Sequence, residues 1–275
     1  MIGQATSLLA PRSRRWLQRV WGCPEIHTRQ KWLAVWPSLA RLPEKGIRLL
    51  DAGCGSGLWA LELAARRPGW TIVGVDFSES AIRSAEEARQ RLGLTNVAFL
   101  NADFIEFEPK QPFDAMLSVL SAHYLAEANQ GEELFHRFRS WLKPDGRLFL
   151  LGPRRKGEAP LIPWLAQPPW HEVFSAQQLA DLCSVSAFSV DSLRGYVGRL
   201  GTLAKQISWA AERRSALLAA GLYPLQWLMG SIGARTGSDS KQPTMLWLLI
   251  ARAAPPSPTQ PEPGRQTGLS STLRP

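Results

Sequence analysis

The residues of this chain that are best suited to binding chemistry are three glycines and the acid before them. Asp51 directly follows the largely apolar residues 47–50. The glycines occupy alternate positions just after it: Gly53, Gly55 and Gly57. The apolar residues predict a buried parallel strand, and the glycines let the backbone turn tightly and approach a ligand. Residues 58–66 have a helical apolar pattern, so the N–H groups that begin this helix would face the same crevice, as in nucleotide sites.

The spacing of the glycines indicates which kind of ligand the turn accepts. Dinucleotide sites favour G-x-G-x-x-G, whose turn cradles a pyrophosphate, whereas this chain has G-x-G-x-G. The carboxylate of Asp51 is a poor neighbour for a pyrophosphate and suits a ligand that carries an ammonium group. The pattern therefore favours a cationic ligand over a dinucleotide.

Two further acids follow predicted strands. Asp76 ends the apolar residues 71–75, and Asp103 follows the strand pattern that begins at residue 97. Asp76 lies about 20 residues beyond the glycine turn, where such folds place a carboxylate that accepts the ribose hydroxyls. Because open α/β sheets bind ligands at the carboxyl ends of their strands, the three acids predict one shared site.

Five segments, in their order and spacing, resemble those of the class I S-adenosylmethionine-dependent methyltransferases. They are LLDAGCGSG, VGVDFS, FLNADF, FDAMLSVL and LKPDGRLFL. The resemblance covers residues 47–153 and, more distantly, residues 174–254. It implies that the cofactor is S-adenosylmethionine and that the activity is transfer of its methyl group.

The same resemblance implies a role for individual residues. The methionine end of the cofactor would lie against Asp51, Gly53, Gly55, Ser56 and Gly57. Asp76 would bind the ribose, and Phe77 would pack against the adenine. Asp103 would accept a hydrogen bond from the adenine amino group, and the Phe104 backbone would complete that edge. Val119, near the end of the fourth strand, would also border the cofactor.

The end of that fourth strand would lie beside the reacting methyl group in this family. Methyl transfer is an in-line displacement, so alignment of the reactants supplies much of the rate. An oxygen or nitrogen nucleophile also needs a nearby proton acceptor. His123 is the first candidate because histidine titrates near neutrality, and Tyr124 is the second. The alternative is that His123 is a framework residue, as in related methyltransferases.

The alternation of strand and helix patterns predicts an α/β fold. We expect a doubly wound, mostly parallel seven-stranded sheet with helices on both faces. The last four strands are predicted at residues 113–120, 147–152, 188–195 and 245–251. Residues 1–46 would form an N-terminal helical cap and residues 47–254 the methyltransferase domain, with a helical insertion at 199–241. The composition of residues 255–275 predicts disorder.

Charge and motifs narrow the acceptor. The net charge is +9, and nine bases face two acids within the first 48 residues, which permits an anionic partner. The Asn/Asp-Pro-Pro-Tyr/Phe motif of adenine and glutamine N-methyltransferases is missing, as is the Pro-Cys nucleophile of cytosine C5-methyltransferases. Nucleic acid is therefore disfavoured as a partner, and a small-molecule or amphiphilic acceptor is favoured. An RNA- or protein-directed enzyme and a non-catalytic binding protein are the alternatives.

Two helical patterns precede the first strand. Residues 12–21 would either pack on the domain or meet lipid headgroups at a membrane surface through their basic residues. The helix predicted at residues 24–40 would bring His27, Arg29 or Trp32 near the substrate, or would lie on the surface.

Cysteine usage and hydropathy indicate the compartment. The three cysteines form no C-x-x-C pair, so neither a disulfide framework nor a metal site is predicted, and a reducing compartment is favoured. No apolar run reaches the length of a membrane span, and arginines interrupt any signal peptide. We expect a cytoplasmic protein, with a peripheral location at the membrane as the alternative. The oligomeric state stays open.

Overall fold

A computed structural model describes residues 26–103, 106–122, 130–153, 175–196, 199–214, 216–235 and 246–255. The helix predicted at residues 12–21 lies outside the described residues, as does the predicted tail beyond residue 255. Among the helices that are described, none combines the length and apolar character needed to cross a membrane.

One sheet of seven strands forms the centre of the described fold. Its strands are β1 (Lys45–Ala52), β2 (Gly69–Asp76), β3 (Val97–Asn101), β4 (Phe113–Val119), β5 (Leu142–Pro153), β6 (Phe188–Tyr196) and β7 (Leu246–Ala253). They are ordered β3-β2-β1-β4-β5-β7-β6. β7 is antiparallel to both of its neighbours, whereas the other neighbouring strands are parallel. This confirms the predicted doubly wound, mostly parallel sheet.

Helices connect these strands and cover both faces of the sheet. They are α1 (Ile26–Leu39), α2 (Leu58–Arg66), α3 (Glu79–Leu92), α4 (Gly131–Trp141), α5 (Ala176–Val185), α6 (Arg199–Arg214) and α7 (Ala216–Arg235). The ends of α3 follow from its sequence. The Ser78 hydroxyl accepts a hydrogen bond from the Ala81 N–H at 3.3 Å, and Gly93 takes the left-handed conformation after the last turn.

β5 begins earlier than the sequence pattern predicts. Pro144 and Gly146 predict a turn with a strand from residue 147, yet Leu142 already pairs with Phe113 of β4. The register shifts between Phe113 and Ala115, so residues 143–146 are accommodated as an irregularity within the strand. Tertiary pairing with a buried neighbour overrides the local turn signal here.

The two faces of the sheet carry separate hydrophobic cores because side chains alternate along each strand. Leu49 of β1 packs in the core that includes α1, α2 and α3. Leu50 packs in the core that includes α4 and α5. The sheet is therefore held from both sides, and its carboxyl edge is left for loops.

The helical insertion before β7 packs against the N-terminal helix. Helices α6 and α7 contact each other along their length, and both contact α1. The Gln30 side chain donates to the Gly201 carbonyl at 3.2 Å, and the Arg29 guanidinium lies 4.2 Å from the centre of the Trp227 ring. We call α1, α6 and α7 the three-helix cluster.

Candidate functional site

The glycine turn joins β1 to α2 at the carboxyl edge of the sheet. Gly53, Gly55 and Gly57 have φ values of 76°, 52° and 81°, a left-handed conformation that glycine adopts without strain. The Gly53 and Cys54 N–H groups donate to the Val75 carbonyl at 2.8 and 3.0 Å. The turn is thus fixed to the end of β2.

The three alternate positions differ in what surrounds them. A Cβ on Gly55 would meet no atom within 4 Å, whereas one on Gly57 would lie 2.7 Å from the Phe99 ring. Gly74 of β2 also packs on Phe99, at 2.7 Å from its would-be Cβ. Gly57 is therefore required by packing, and the space beside Gly55 is open to a ligand.

The Asp76 carboxylate links this turn to the loop after β2. Its Oδ2 accepts from the Gly55 N–H at 2.8 Å, and its Oδ1 accepts from the Ser78 N–H at 2.9 Å. The Asn101 amide donates to the carbonyls of Asp76 and Phe77 at 3.0 and 2.9 Å. Asp76 is 9% exposed, so a buried carboxylate is held at the edge of the crevice by backbone donors.

An uncovered aromatic ring lies next to this carboxylate. Phe77 is 74% exposed, the largest value among the exposed large apolar residues of the described chain. Asp103 follows β3 and is exposed, and its backbone carbonyl accepts from the Phe107 N–H at 2.9 Å. Phe104 lies outside the described residues. Phe77 and Asp103 therefore follow the neighbouring strands β2 and β3 at the same edge of the sheet.

Asp51 is positioned differently from Asp76. It is 1% exposed, and its Oδ2 accepts from the Ala60 N–H in the first turn of α2 at 3.1 Å. Burial raises the pKa of this carboxyl to about 7; the bond from Ala60 opposes the rise, and the negative charge of Asp76 adds to it. Asp51 therefore fastens β1 to α2, and its part in holding a ligand stays a prediction.

Two serines fasten the end of β4 to the glycine turn. Ser121 donates from its hydroxyl to the Ala52 carbonyl at 2.7 Å, so the buried Ser118 hydroxyl donates to Ser121, also at 2.7 Å. Between them, Leu120 has a φ of 56°, a strained conformation of the kind that clusters at functional sites. Val119 is half-buried at this strand end. His123 and Tyr124 lie outside the described residues.

The family follows from a comparison with known proteins. A family model described as a methyltransferase domain matches residues 43–203, which is more than half of the 275 residues. The chain belongs to this family. Its sheet order, with an antiparallel β7, is that of the class I S-adenosylmethionine-dependent methyltransferase fold, as the resemblance implied.

Individual relatives match the chain over limited lengths. Release factor glutamine methyltransferase of Escherichia coli (strain K12) is 38% identical over 81 residues, which are 30% of this chain and 29% of that protein. Nocamycin O-methyltransferase of Saccharothrix syringae is 35% identical over 114 residues, which are 40% of this chain and 39% of that protein. The chain thus matches less than half the length of these curated relatives.

A solved structure matches over nearly its whole length. It is an S-adenosylmethionine-dependent methyltransferase from Mesorhizobium loti, with a TM-score of 0.52 and 23% identity. The match covers 81% of this chain and 99% of that one. At this identity the match supports the methyltransferase fold.

Within this methyltransferase, Cys54 is a turn residue. It is 7% exposed, and a Cβ on Gly74 would lie 2.9 Å from its sulfur. Burial raises the pKa of the Cys54 thiol, and the nearby carboxylates of Asp51 and Asp76 raise it further. The thiol is held neutral, which does not suit a nucleophile.

The sequence left two predictions open for α1: a position near the substrate or a position on the surface. Trp32 is 7% exposed, and its ring stacks on that of Trp59 in α2 with centroids 4.9 Å apart. A surface position is therefore wrong for Trp32, because the ring is part of the core. Arg29 lies over Trp227, facing α7. The side chain of His27 lies outside the described residues.

The interior of the three-helix cluster contains polar side chains. Six of them are buried: Thr28, Gln30, Gln206, Ser208, Gln226 and Ser231. Both polar atoms of the Gln226 amide, and Oε1 of Gln206, are buried without a hydrogen-bond partner among the described residues. Buried amides that lack partners destabilise a protein, so this interior is suited to donating hydrogen bonds to, and accepting them from, a ligand or water.

Proposed function

We propose that this methyltransferase transfers a methyl group from S-adenosylmethionine to a small-molecule or amphiphilic acceptor. The observation that carries the proposal is the contact between Asp76 and Gly55 beside the exposed Phe77. It combines a carboxylate fixed by backbone donors, an open glycine and an uncovered aromatic ring at one strand edge. A nucleoside with an amino-acid chain matches each of these groups.

The residues present suit the cofactor chemically. Each oxygen of the Asp76 carboxylate accepts one backbone N–H and keeps a lone pair for a ribose hydroxyl. Phe77 offers a ring face to the adenine, and Asp103 an acceptor for its amino group. We propose that the methionine end lies along Gly53, Gly55 and the residues of the turn. The cofactor supplies an activated methyl group on a sulfonium.

The chain's own contribution to the reaction is alignment and a proton acceptor. The serine link from Ser121 to Ala52 holds the end of β4 against the glycine turn. We keep His123 as the first candidate for this base and Tyr124 as the second. Either would take a proton from the attacking oxygen or nitrogen.

An enclosed acceptor site would explain the polar interior of the three-helix cluster. The α6–α7 insertion follows β6 and precedes β7. Leu246, the first residue of β7, pairs with the last residue of β6, Tyr196, and with the last residue of β5, Pro153. The cluster is therefore attached at the carboxyl edge that also carries the cofactor residues. Gln226 and Gln206 would bind hydroxyl, amide or carbonyl groups of the acceptor. A small molecule fits such an interior better than a folded RNA or protein.

Two measurements test the proposal. Titration calorimetry should detect binding of S-adenosylmethionine and S-adenosylhomocysteine, with NAD as the control ligand. Incubation of the enzyme with cell extract and cofactor labelled in the methyl group, followed by mass analysis, should identify the methylated product. Binding of NAD alone would contradict the assignment, and a labelled protein or RNA would contradict the acceptor class.

The second candidate is a protein- or RNA-directed methyltransferase. It is favoured by the match to release factor glutamine methyltransferase and by the net charge of +9. Its RNA version predicts an affinity for nucleic acid that falls steeply as salt rises. Binding that is undetectable or insensitive to salt would exclude it.

We also propose the domain boundaries and location that the sequence indicates. Residues 1–46 form an N-terminal helical cap, residues 47–254 form the methyltransferase domain, and the protein acts in the cytoplasm. Limited proteolysis with mass mapping of the fragments tests the boundaries, and cell fractionation tests the location.

A further inference from the structure

Helix α7 exposes a stripe of large apolar side chains. Leu225, Leu228 and Ile232 are 51%, 52% and 44% exposed. Their spacing of three and four residues places them on one face of the helix. Gly221, which is also exposed, extends the same stripe by one turn.

The opposite face of α7 is the polar one, and it is buried. Tyr223 and Gln226 are 3% and 1% exposed although each carries a polar group, and both face the interior of the three-helix cluster. An ordinary surface helix has the reverse arrangement, with its apolar stripe against the core. Packing among the described residues therefore does not explain why Leu225, Leu228 and Ile232 face outward.

The sequence of the helix pair that carries this stripe is basic. α7 contains no acidic residue, and its single base, Arg235, is its last residue. α6 carries four bases and one acid, and the exposed Arg214 stands at the corner where α6 meets α7. An anionic partner complements this arrangement, whereas a second copy of the same basic helix pair would be repelled.

We propose that α7 docks this enzyme on an anionic lipid surface. Leu225, Leu228 and Ile232 would enter the boundary between headgroups and acyl chains, and the net positive charge of the α6–α7 pair, which includes the exposed Arg214, would favour acidic headgroups. The helix would lie in the plane of the membrane, since none of the described helices is suited to span it. This inference is independent of the identity of the acceptor.

Cosedimentation with vesicles tests the proposal on the full-length protein. The wild type should bind vesicles of phosphatidylcholine with about 30% phosphatidylglycerol and should bind pure phosphatidylcholine much more weakly. The triple variant Leu225→Gln, Leu228→Gln, Ile232→Gln should bind about tenfold less to the anionic vesicles, because it removes the inserted apolar surface. Glutamine preserves helix propensity.

A matched control changes exposed apolar residues elsewhere. Val185 and Val190 are 55% and 39% exposed on α5 and β6, so Val185→Gln with Val190→Gln should leave vesicle binding unchanged. Calorimetry with S-adenosylmethionine checks that each variant keeps its cofactor site.

Four outcomes would overturn the proposal in whole or in part. The wild type could stay in the supernatant with both vesicles, or the triple variant could bind as the wild type does. Light scattering could instead reveal a dimer that the triple variant converts to a monomer, which would make a second copy the occupant of the stripe. Equal binding to neutral vesicles would overturn the anionic part.

Discussion

The glycine-turn edge and the three-helix cluster satisfy their polar groups in opposite ways. At the edge, Asp76 accepts two backbone N–H groups, and Asn101 donates to two carbonyls. In the cluster, the Gln226 amide is buried with neither of its polar atoms bonded in the described structure. In the first region these polar groups have partners within the chain, whereas in the second a buried amide has none among the described residues.

This difference teaches how the two halves of a transferase site can be built. In our proposal the cofactor binds at an edge whose geometry is set by strands and fixed turns, and such an edge is preorganised. The acceptor binds in the interior of the three-helix cluster, which is formed by α1 and the inserted helices α6 and α7. We therefore expect substitutions at the edge to affect cofactor affinity, and substitutions in the cluster to affect acceptor turnover.

The largest effect is expected at Asp76. Asp76→Ala should weaken S-adenosylmethionine binding about a hundredfold or more, because it would remove the carboxylate that we propose accepts two ribose hydrogen bonds. Titration calorimetry measures the change. The control is Asp191→Ala, which removes an exposed acid paired with Arg252 at 3.1 Å and should leave the affinity unaltered. Equal affinity of the Asp76 variant and the wild type would contradict the ribose role.

The next effect concerns Asp51 and depends on pH. Its pKa is about 7 in the folded chain against an ordinary 3.8. Between about pH 4 and about pH 7 the carboxyl is therefore protonated in the native state and ionised in the unfolded state. The free energy of unfolding therefore falls, from this group, as pH rises from about 4 to 7. Asp51→Asn removes the buried charge and should stabilise the protein by about 2 kcal/mol above pH 7, because the introduced amide still accepts from Ala60.

Urea unfolding at several pH values checks this prediction. The gain of Asp51→Asn over the wild type should shrink as pH falls below 7 and should vanish only below the unfolded pKa of 3.8, where the carboxyl is protonated in both states. A gain that is the same at pH 4 and pH 8 would mean that the charge of Asp51 is not its cause.

A smaller effect distinguishes Gly74, which packs against Phe99, from Gly55, which we propose borders the cofactor. Gly74→Ala should lower the free energy of unfolding by about 1–2 kcal/mol, because its Cβ would lie 2.7 Å from the Phe99 ring. Gly55→Ala meets no neighbour and should cost about 1 kcal/mol from its positive φ, while weakening cofactor binding. Denaturant unfolding and calorimetry on both variants make the comparison, and Phe99→Leu should rescue Gly74→Ala.

The strands and the glycine turn that form the candidate cofactor edge could be predicted from the sequence because their signals are local. Asp51, the alternate glycines and Asp76 each follow a strand pattern that is read within a few residues. The hydrogen bonds of Asn101 and Ser121 were not predicted because their partners lie 24 and 69 residues away in the sequence. The early start of β5 at Leu142 depends on its pairing with Phe113, which local turn residues conceal.

The packing of the three-helix cluster was harder to predict because it depends on contacts between residues that are distant in the sequence. The sequence predicts a helix before β1 and a helical insertion before β7, but nothing local indicates that Gln30 donates to Gly201, 171 residues away. The sequence pattern also fails to predict that α7 buries its polar face and exposes an apolar one, since an apolar face is ordinarily the buried face. Only the packing reveals that Gln226 is inside and Leu225 outside.

The smallest effect tests the interior of the cluster directly. Gln226→Leu should raise the free energy of unfolding by about 1 kcal/mol, because it replaces a buried, unpartnered amide with an apolar side chain of similar volume. If the amide serves the acceptor, the same variant should keep its affinity for S-adenosylmethionine and lose turnover of the methylated product found in extract. Gln177→Leu, an exposed glutamine on α5 that bonds Asp181 at 2.9 Å, is the matched control. A stabilised Gln226 variant with full turnover would mean that the amide contacts a buried water and not the acceptor. The unpartnered amide of the cluster would then no longer indicate an acceptor site.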